Sequence, residues 1–182
     1  MNHKSPHQLI CDIPLSLYYS SDKYKPALLK KAVSIRRIQE SDIPGIRRIE
    51  EEVFPDPWGD EVLRETVEMF SATSFIAETS DCIAGFIICG IEDTGEELYG
   101  HICNLAVSEQ YRNCGIGQQL LKRAEHQLII TCATGCQLEV RVSNTDAQSF
   151  YRKMGYQPVF HLGAYYANTE DAIVMMKWFT RV

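Results

Sequence analysis

The sequence predicts an α/β protein, with a mixed central sheet of six to seven strands, about four flanking helices and an N-terminal extension. The elements follow the order strand, two helices, three strands, helix, strand, helix, two strands. The three consecutive strands are joined by short turns and therefore form an antiparallel meander. The strand after the next helix should lie parallel to the end of the meander, because parallel neighbours need a crossover connection.

The composition is typical of one soluble globular domain. The chain has 182 residues, of which 45% are hydrophobic and 23% charged, enough to bury a core. Its net charge of −6 argues against general nucleic-acid binding. The longest apolar run, residues 82–91, is too short to cross a bilayer, so no membrane association is expected.

The seven cysteines show no framework spacing and favour free thiols in a reducing compartment. Cys132 and Cys136 are four apart but lack a matching second pair, so no metal site is expected. Near the N-terminus, Lys4 precedes a mixed segment rather than the apolar core of a signal peptide. We therefore expect a cytoplasmic protein, with residues 1–33 as an extension and residues 34–182 as the domain.

The first regular segment is a strand at residues 34–38, followed by two helices. Ser41 is the expected N-cap of the first helix, and Pro44 is tolerated in its first turn. Prolines end this helix near residue 54, and the second helix covers residues 60–70. The loop between them, which contains Phe54, Pro55 and Trp58, is either a pocket wall or a hydrophobic staple between packed helices.

The meander consists of strands at residues 74–79, at residues 82–91 and from Leu98 onward. Its second connection is the acidic stretch 92–96, which contains Gly95 and predicts a hairpin loop. The next helix has an apolar residue at every fourth position, and Gly135 is its expected end. These apolar residues are Ile116, Leu120, Ala124 and Leu128.

The turn before this helix suits a phosphate group. Gly115 and Gly117 allow a ligand close to the backbone, and a helix N-terminus offers free N–H groups with a favourable dipole. A P-loop is excluded because Gln118 and Gln119 occupy the required Lys and Ser/Thr positions. A dinucleotide fingerprint is excluded because Leu120 replaces its third glycine.

The last third of the chain predicts a strand, a helix and two more strands. In the strand at residues 136–142, Glu139 and Arg141 share one face, which forms either a solvated ion pair or the wall of a cleft. Asn144 caps the helix 145–154 and Gly155 ends it. The final strands cover residues 156–166 and 172–179.

Three separate motifs resemble one known family. Residues 112–117, Arg-Asn-Cys-Gly-Ile-Gly, resemble the pyrophosphate-binding signature of the GCN5-related N-acetyltransferases (GNAT). Residues 138–144 and 150–156 are similar to the second half of RimI-like and archaeal protein N-terminal acetyltransferases. The Tyr165–Tyr166 pair before Glu170 is similar as well. The resemblance as a whole covers roughly residues 34–179.

The resemblance implies a GNAT fold that binds acetyl-coenzyme A (acetyl-CoA). It implies that the backbone of residues 110–117 holds the pyrophosphate of the cofactor. The individual residues that it implies in cofactor binding are Leu105, Ala106, Val107, Arg112, Asn113, Cys114, Gly115, Ile116, Gly117 and Asn144. It further implies that Tyr151 protonates the leaving thiolate and that Glu139 acts as base through water, with His101 a second candidate. Phe54, Pro55, Tyr165 and Tyr166 would hold the acceptor.

The acceptor implied by the resemblance is the N-terminal α-amine of a protein or peptide, such as a ribosomal protein or nascent chain. An α-amine, with a pKa of roughly 7.7–8.0, needs a weaker base than lysine, with a pKa of about 10.4. A small-molecule amine acetyltransferase on the same fold and a non-catalytic coenzyme A-binding module are the alternatives. The expected state is a monomer or weak homodimer, without nucleic-acid contacts beyond proximity to the ribosome.

Overall fold

The computed structural model describes residues 32–180. The strands are β1 (Ser34–Arg37), β2 (Phe75–Glu78), β3 (Ile83–Asp93), β4 (Leu98–Val107), β5 (Gly135–Arg141), β6 (Gln157–Leu162) and β7 (Ala172–Trp178). The α-helices are α1 (Ile43–Val53), α2 (Asp60–Phe70), α3 (Ile116–Ile130) and α4 (Thr145–Lys153). Apart from Ala32 and Val33, the predicted N-terminal extension lies outside the described residues.

All seven strands form one sheet in the order β1-β2-β3-β4-β5-β7-β6, which confirms the predicted mixed α/β fold. Neighbouring strands are antiparallel except for the central pair β4 and β5, which is parallel as predicted. That pair is in register at only three positions, and the last joins His101 to Gln137. Beyond it β4 and β5 separate, and we call this gap the fork.

The two faces of the sheet carry different helices. Helix α3 packs on one face through its predicted apolar stripe, in which Ile116, Leu120, Ala124 and Leu128 are all buried. Helices α1 and α2 cover β3 and β4 on the opposite face, where Ile46, Ile49 and Leu63 are fully buried. The fork therefore connects the α3 face with the α1 face.

The helix boundaries confirm several sequence signals. Asn144 Oδ1 accepts a hydrogen bond from the N–H of Ala147 at 3.0 Å and so caps α4. Gly155 follows that helix with φ of +95°, a conformation that glycine adopts without strain. The prediction for Ser41 is wrong, because it lies inside a 3₁₀ turn, Glu40–Asp42, and Asp42 is the residue before α1.

Three boundaries differ from the prediction. Strand β3 continues to Asp93, so Glu92 belongs to the sheet instead of the hairpin loop. Helix α3 ends at Ile130 and the chain turns at Cys132, whereas Gly135, the expected helix end, opens β5. Strand β6 is shorter than expected, because a turn begins at Gly163. Among the described helices, none combines the length and apolar character needed to cross a bilayer.

Candidate active site

A groove of about 400 Å³ lies beside the fork, between β4, the start of α3 and helix α4. Eight of the predicted cofactor or catalytic residues line it: Leu105, Val107, Arg112, Asn113, Gly115, Ile116, Gly117 and Tyr151. The other lining residues were not predicted as individual site residues, although Tyr111 falls within the predicted pyrophosphate segment 110–117; they are Val53, Tyr111, Gln118, Asp146, Ala147 and Phe150. The glycine turn and α4 are therefore brought together around one cavity.

The glycine turn points the start of α3 into this groove. Gly115 has φ of +76°, which suits glycine, and its carbonyl accepts the first helical hydrogen bond, from the N–H of Gln119 at 3.1 Å. The preceding N–H groups of α3 lack partners within the helix, as at any helix N-terminus. Together with the helix dipole they make this end of the groove suitable for an anion.

Two buried nitrogen atoms in this region have no hydrogen-bond partner among residues 32–180. They are Nη2 of Arg112, on the wall of the groove, and Nδ2 of Asn144, at the start of α4. Burying a polar group without a partner costs about 1–3 kcal/mol, and more for a charged group. Both atoms would recover this cost by donating hydrogen bonds to a polar ligand, so the residues present fit a phosphate-bearing ligand.

Ala106 and Cys114 were also predicted to bind the cofactor, but neither of them lines the groove. The side chain of Ala106 is buried in the cluster under α1, on the opposite face from the groove, so only its main chain could face a ligand. Cys114 is partly exposed, and its Sγ donates to the carbonyl of Arg112 at 3.5 Å. Tyr151 is 1% exposed and packs edge-on against Phe150 and Tyr156, which fixes its ring at the groove wall.

The base of the fork holds a chain of three charged groups, of which His101 and Glu139 are buried and Glu92 is partly exposed. His101 Nε2 lies 2.8 Å from a carboxylate oxygen of Glu139, and its Nδ1 lies 2.8 Å from a carboxylate oxygen of Glu92. Gln137 donates to the other oxygen of Glu92 at 2.9 Å. The two expected base candidates are therefore in direct contact, and Glu92, which the sequence placed in a loop, is the third member.

This arrangement fixes the charge on the imidazole. Burial alone would lower the pKa of His101, but the hydrogen bonds to Glu139 and Glu92 and the attraction of Glu139 raise it to about 11. His101 is therefore protonated at neutral pH and donates from both ring nitrogens. A group that already carries its proton is a poor base, which favours the Glu139 carboxylate for that role.

The predicted acceptor residues lie in two loops that flank the fork. Tyr165 and Tyr166 lie between β6 and β7, where the Arg141 guanidinium stacks on the Tyr166 ring at 3.7 Å. Arg141 also bonds Glu170 at 2.9 Å, which anchors this loop to β5. Hydrogen bonds from Ser143 and Arg141 lower the pKa of Glu170 to about 2, although burial by itself would raise it.

The second flanking loop is residues 54–58, between α1 and α2. Phe54 and Trp58 are buried in the cluster under these helices, whereas Pro55 is exposed. Glu50, at the end of α1, accepts a hydrogen bond from the main-chain N–H of Trp58 at 3.1 Å. It also accepts one from the side-chain amide of Asn104 on β4, so this loop is anchored to the opposite arm of the fork.

A second hollow, of about 570 Å³, lies between the starts of α1 and α2. Arg47 pairs with Glu51 and Asp60, and Arg64 pairs with Glu40, whereas Arg48 donates to the main-chain carbonyl of Ile83 at 2.7 Å, so these side chains have partners without a ligand. No group of three or more His, Cys, Asp or Glu side chains within residues 32–180 is placed to hold a metal ion.

Comparison with known proteins gives a consistent result. Residues 43–156 match the model of the acetyltransferase (GNAT) family. An uncharacterised N-acetyltransferase of Methanocaldococcus jannaschii is 37% identical over 144 residues, which is 79% of this chain and 90% of the relative. A putative ribosomal protein bS18-alanine N-acetyltransferase of Bacillus subtilis is 33% identical over 154 residues, 84% of this chain and 98% of the relative.

The fold is similar to that of Arabidopsis thaliana Naa50, solved in complex with the bisubstrate analogue CoA-Ac-MVNAL. The TM-score is 0.72 at 25% sequence identity, over 81% of this chain and 99% of the Arabidopsis chain.

Proposed function

Because this chain belongs to the acetyltransferase (GNAT) family, we propose that it transfers the acetyl group of acetyl-CoA to the N-terminal α-amine of a protein or peptide. The fork carries the proposal, since it brings a phosphate-suited groove on one face of the sheet to a buried carboxylate on the other. The acceptor class is supported by the relatives named as protein N-acetyltransferases. Residues 34–182 are the proposed catalytic domain.

The donor side is proposed to bind acetyl-CoA in the groove. The first N–H groups of α3 and the guanidinium of Arg112 hold the diphosphate, and Asn144 Nδ2 donates to a polar atom of the cofactor. Bound acetyl-CoA supplies the thioester whose carbonyl carbon the amine attacks. Leu105 and Val107 face the fork, where β4 has lost β5 as a pairing partner and can offer main-chain groups to an extended ligand.

The acceptor is proposed to enter from the α1 face, between the two anchored loops. Glu139, held by the charged imidazole of His101, takes the proton of the α-ammonium group through a water molecule. His101 is then a positioning residue, because its two N–H groups are already committed to carboxylates. Tyr151 stands on the groove side and gives a proton to the departing sulfur.

The test is an acetylation assay with the full chain and acetyl-CoA. The acceptors are short peptides with free N-termini, the same peptides blocked at the N-terminus with an internal lysine, and small amines. We expect the free N-termini to be acetylated. Acetylation of only the lysine side chains or only the small amines would contradict the proposal.

A further inference from the structure

The last turn of α1 contains three consecutive glutamates, Glu50, Glu51 and Glu52, which contact three different parts of the molecule. Glu50 is 1% exposed and bonds both Trp58 N–H and Asn104, on the arm of the fork next to Leu105. We call these two hydrogen bonds the Glu50 bridge.

Glu52 instead contacts the segment that leads from β4 to the glycine turn beside the groove. Its carboxylate accepts hydrogen bonds from Ser108 Oγ at 2.9 Å and from the N–H of Glu109 at 2.5 Å. Both donors lie just after β4, at the start of the segment that leads into the glycine turn. Glu51 is exposed, and its contact is an ion pair with Arg47, one turn earlier on the helix surface, at 2.9 Å.

The Glu50 bridge can persist in both protonation states of the carboxyl group. Burial raises the pKa of Glu50 to about 7, against the opposing effect of its two hydrogen bonds. Asn104 Oδ1 is buried and has no partner in the described part of the chain. If the Asn104 amide rotates by half a turn, this oxygen can accept a hydrogen bond from the O–H of a neutral Glu50. A glutamine at position 50 could bond in the same way.

We propose, on the basis of the proposed function, that Glu50 is a positioning residue for the acceptor, while Glu52 positions the cofactor loop. Glu50 holds residues 54–58 at a fixed place relative to β4, and therefore fixes the acceptor's first residues relative to the acetyl group. Glu50 and Glu52, on the same helical turn, thus position the acceptor and the cofactor separately. The rate of an enzymatic reaction between two bound substrates is sensitive to displacements of about 1 Å between the reacting atoms. Release of the loop 54–58 should therefore impair the reaction of the acceptor.

The experiment compares Glu50→Ala, Glu50→Gln and Glu52→Ala in the full chain, with Glu51→Ala as the matched control. Steady-state kinetics give kcat and the KM of an acceptor peptide, and calorimetry gives the Kd of coenzyme A. We expect Glu50→Ala to raise the acceptor KM about 10-fold or more, the scale of a lost hydrogen bond to a charged group, without changing the Kd. Glu52→Ala should raise the Kd and leave the acceptor KM unchanged. Glu51→Ala should alter neither.

Glu50→Gln should stay within about threefold of the wild type, because it can keep both hydrogen bonds. Equal impairment by Glu50→Gln and Glu50→Ala, or a parallel rise in acceptor KM and coenzyme A Kd in Glu50→Ala, would overturn the proposal. If Glu50→Ala does not fold, Asn104→Ala cuts the bridge at its other end and should show the same separation of effects. An unchanged acceptor KM in that variant also overturns it.

A second readout does not depend on catalysis. Trp58 is 8% exposed and Trp178 is the only other tryptophan, so Trp178→Phe isolates the Trp58 fluorescence. Release of the loop in Glu50→Ala should shift this emission to longer wavelength, while Glu51→Ala should not. If the wild type acetylates no peptide N-terminus but the shift occurs, the proposed function fails and the structural role of Glu50 remains. An unshifted emission overturns the bridge itself.

Discussion

Replacing Glu139 with glutamine removes one negative charge from the base of the fork and keeps the shape of the side chain. Its oxygen lies 2.8 Å from His101 Nε2, which places the centres of the two charged groups about 4 Å apart. At an effective dielectric constant of about 20, this attraction is about 4 kcal/mol. At 1.36 kcal/mol per pKa unit, the pKa of His101 should therefore fall by about 3 from its value of about 11.

Two measurements test this prediction. An NMR titration of the His101 ring follows its pKa directly, with His101→Gln used to assign the signal. Initial rates with saturating acetyl-CoA should show kcat about 10²-fold lower, the usual contribution of a general base. Coenzyme A affinity should not change, because Glu139 and the groove lie on opposite faces of the sheet. Glu96→Gln, in the exposed hairpin turn, is the control.

Two outcomes would refute this reasoning. A His101 pKa that stays near 11 in Glu139→Gln would mean that Glu92 alone holds the imidazole charge. An unchanged kcat together with a lowered His101 pKa would mean that the pair is structural and that the base lies elsewhere.

Tyr151→Phe should lower kcat by about 10²-fold at unchanged coenzyme A Kd, since it removes only the hydroxyl that is proposed to protonate the thiolate. Steady-state kinetics check this, and an unchanged kcat would reject the role. Arg112→Gln should weaken coenzyme A binding roughly 10-fold or more in calorimetry, because it removes the guanidinium charge together with the Nη2 that has no hydrogen-bond partner among residues 32–180. Gly100→Ala should cost about 1–3 kcal/mol in urea unfolding, because an added Cβ would lie 2.2 Å from Leu128 Cδ1. His101 has a pKa raised from 6.5, so its contribution to the free energy of unfolding is complete below about pH 6.5 and is lost as pH rises through about 11. Urea unfolding of the wild type should show this loss between those pH values, and His101→Gln should not.

Local signals in the sequence predicted most of the fold. The cap at Asn144 and the four-residue spacing of the α3 stripe depend on neighbouring residues, and both are confirmed by the structure. Gly135 misled the prediction, because a glycine after a helix can also serve close strand packing. An added Cβ there would lie 2.8 Å from the carbonyl of Lys177 on β7, which no local pattern shows.

The charged chain at the fork was only half predictable. Glu139 was found through the side-chain alternation of its strand and through resemblance, and His101 through resemblance alone. Glu92, however, sits in a run of acidic residues and polar turn formers that is typical of a loop. Its inward direction follows the alternation that Phe86 and Ile88 already show along β3, but its partner His101 lies on the next strand, β4. The Glu50 bridge was missed for a similar reason, since its partner Asn104 lies 54 positions away.

The separation of β4 from β5 also affects thermal denaturation. Past His101, no strand within residues 32–180 pairs with β4 on that side, so we expect an acetyl donor bound there to complete the sheet's hydrogen bonding. A molecule that binds only the native chain adds RT ln(1 + [L]/Kd) to the unfolding free energy, about 2.7 kcal/mol at one hundred times its Kd. The melting temperature of this enzyme should therefore rise with coenzyme A concentration, so that its heat resistance in a cell depends on the acetyl-donor supply.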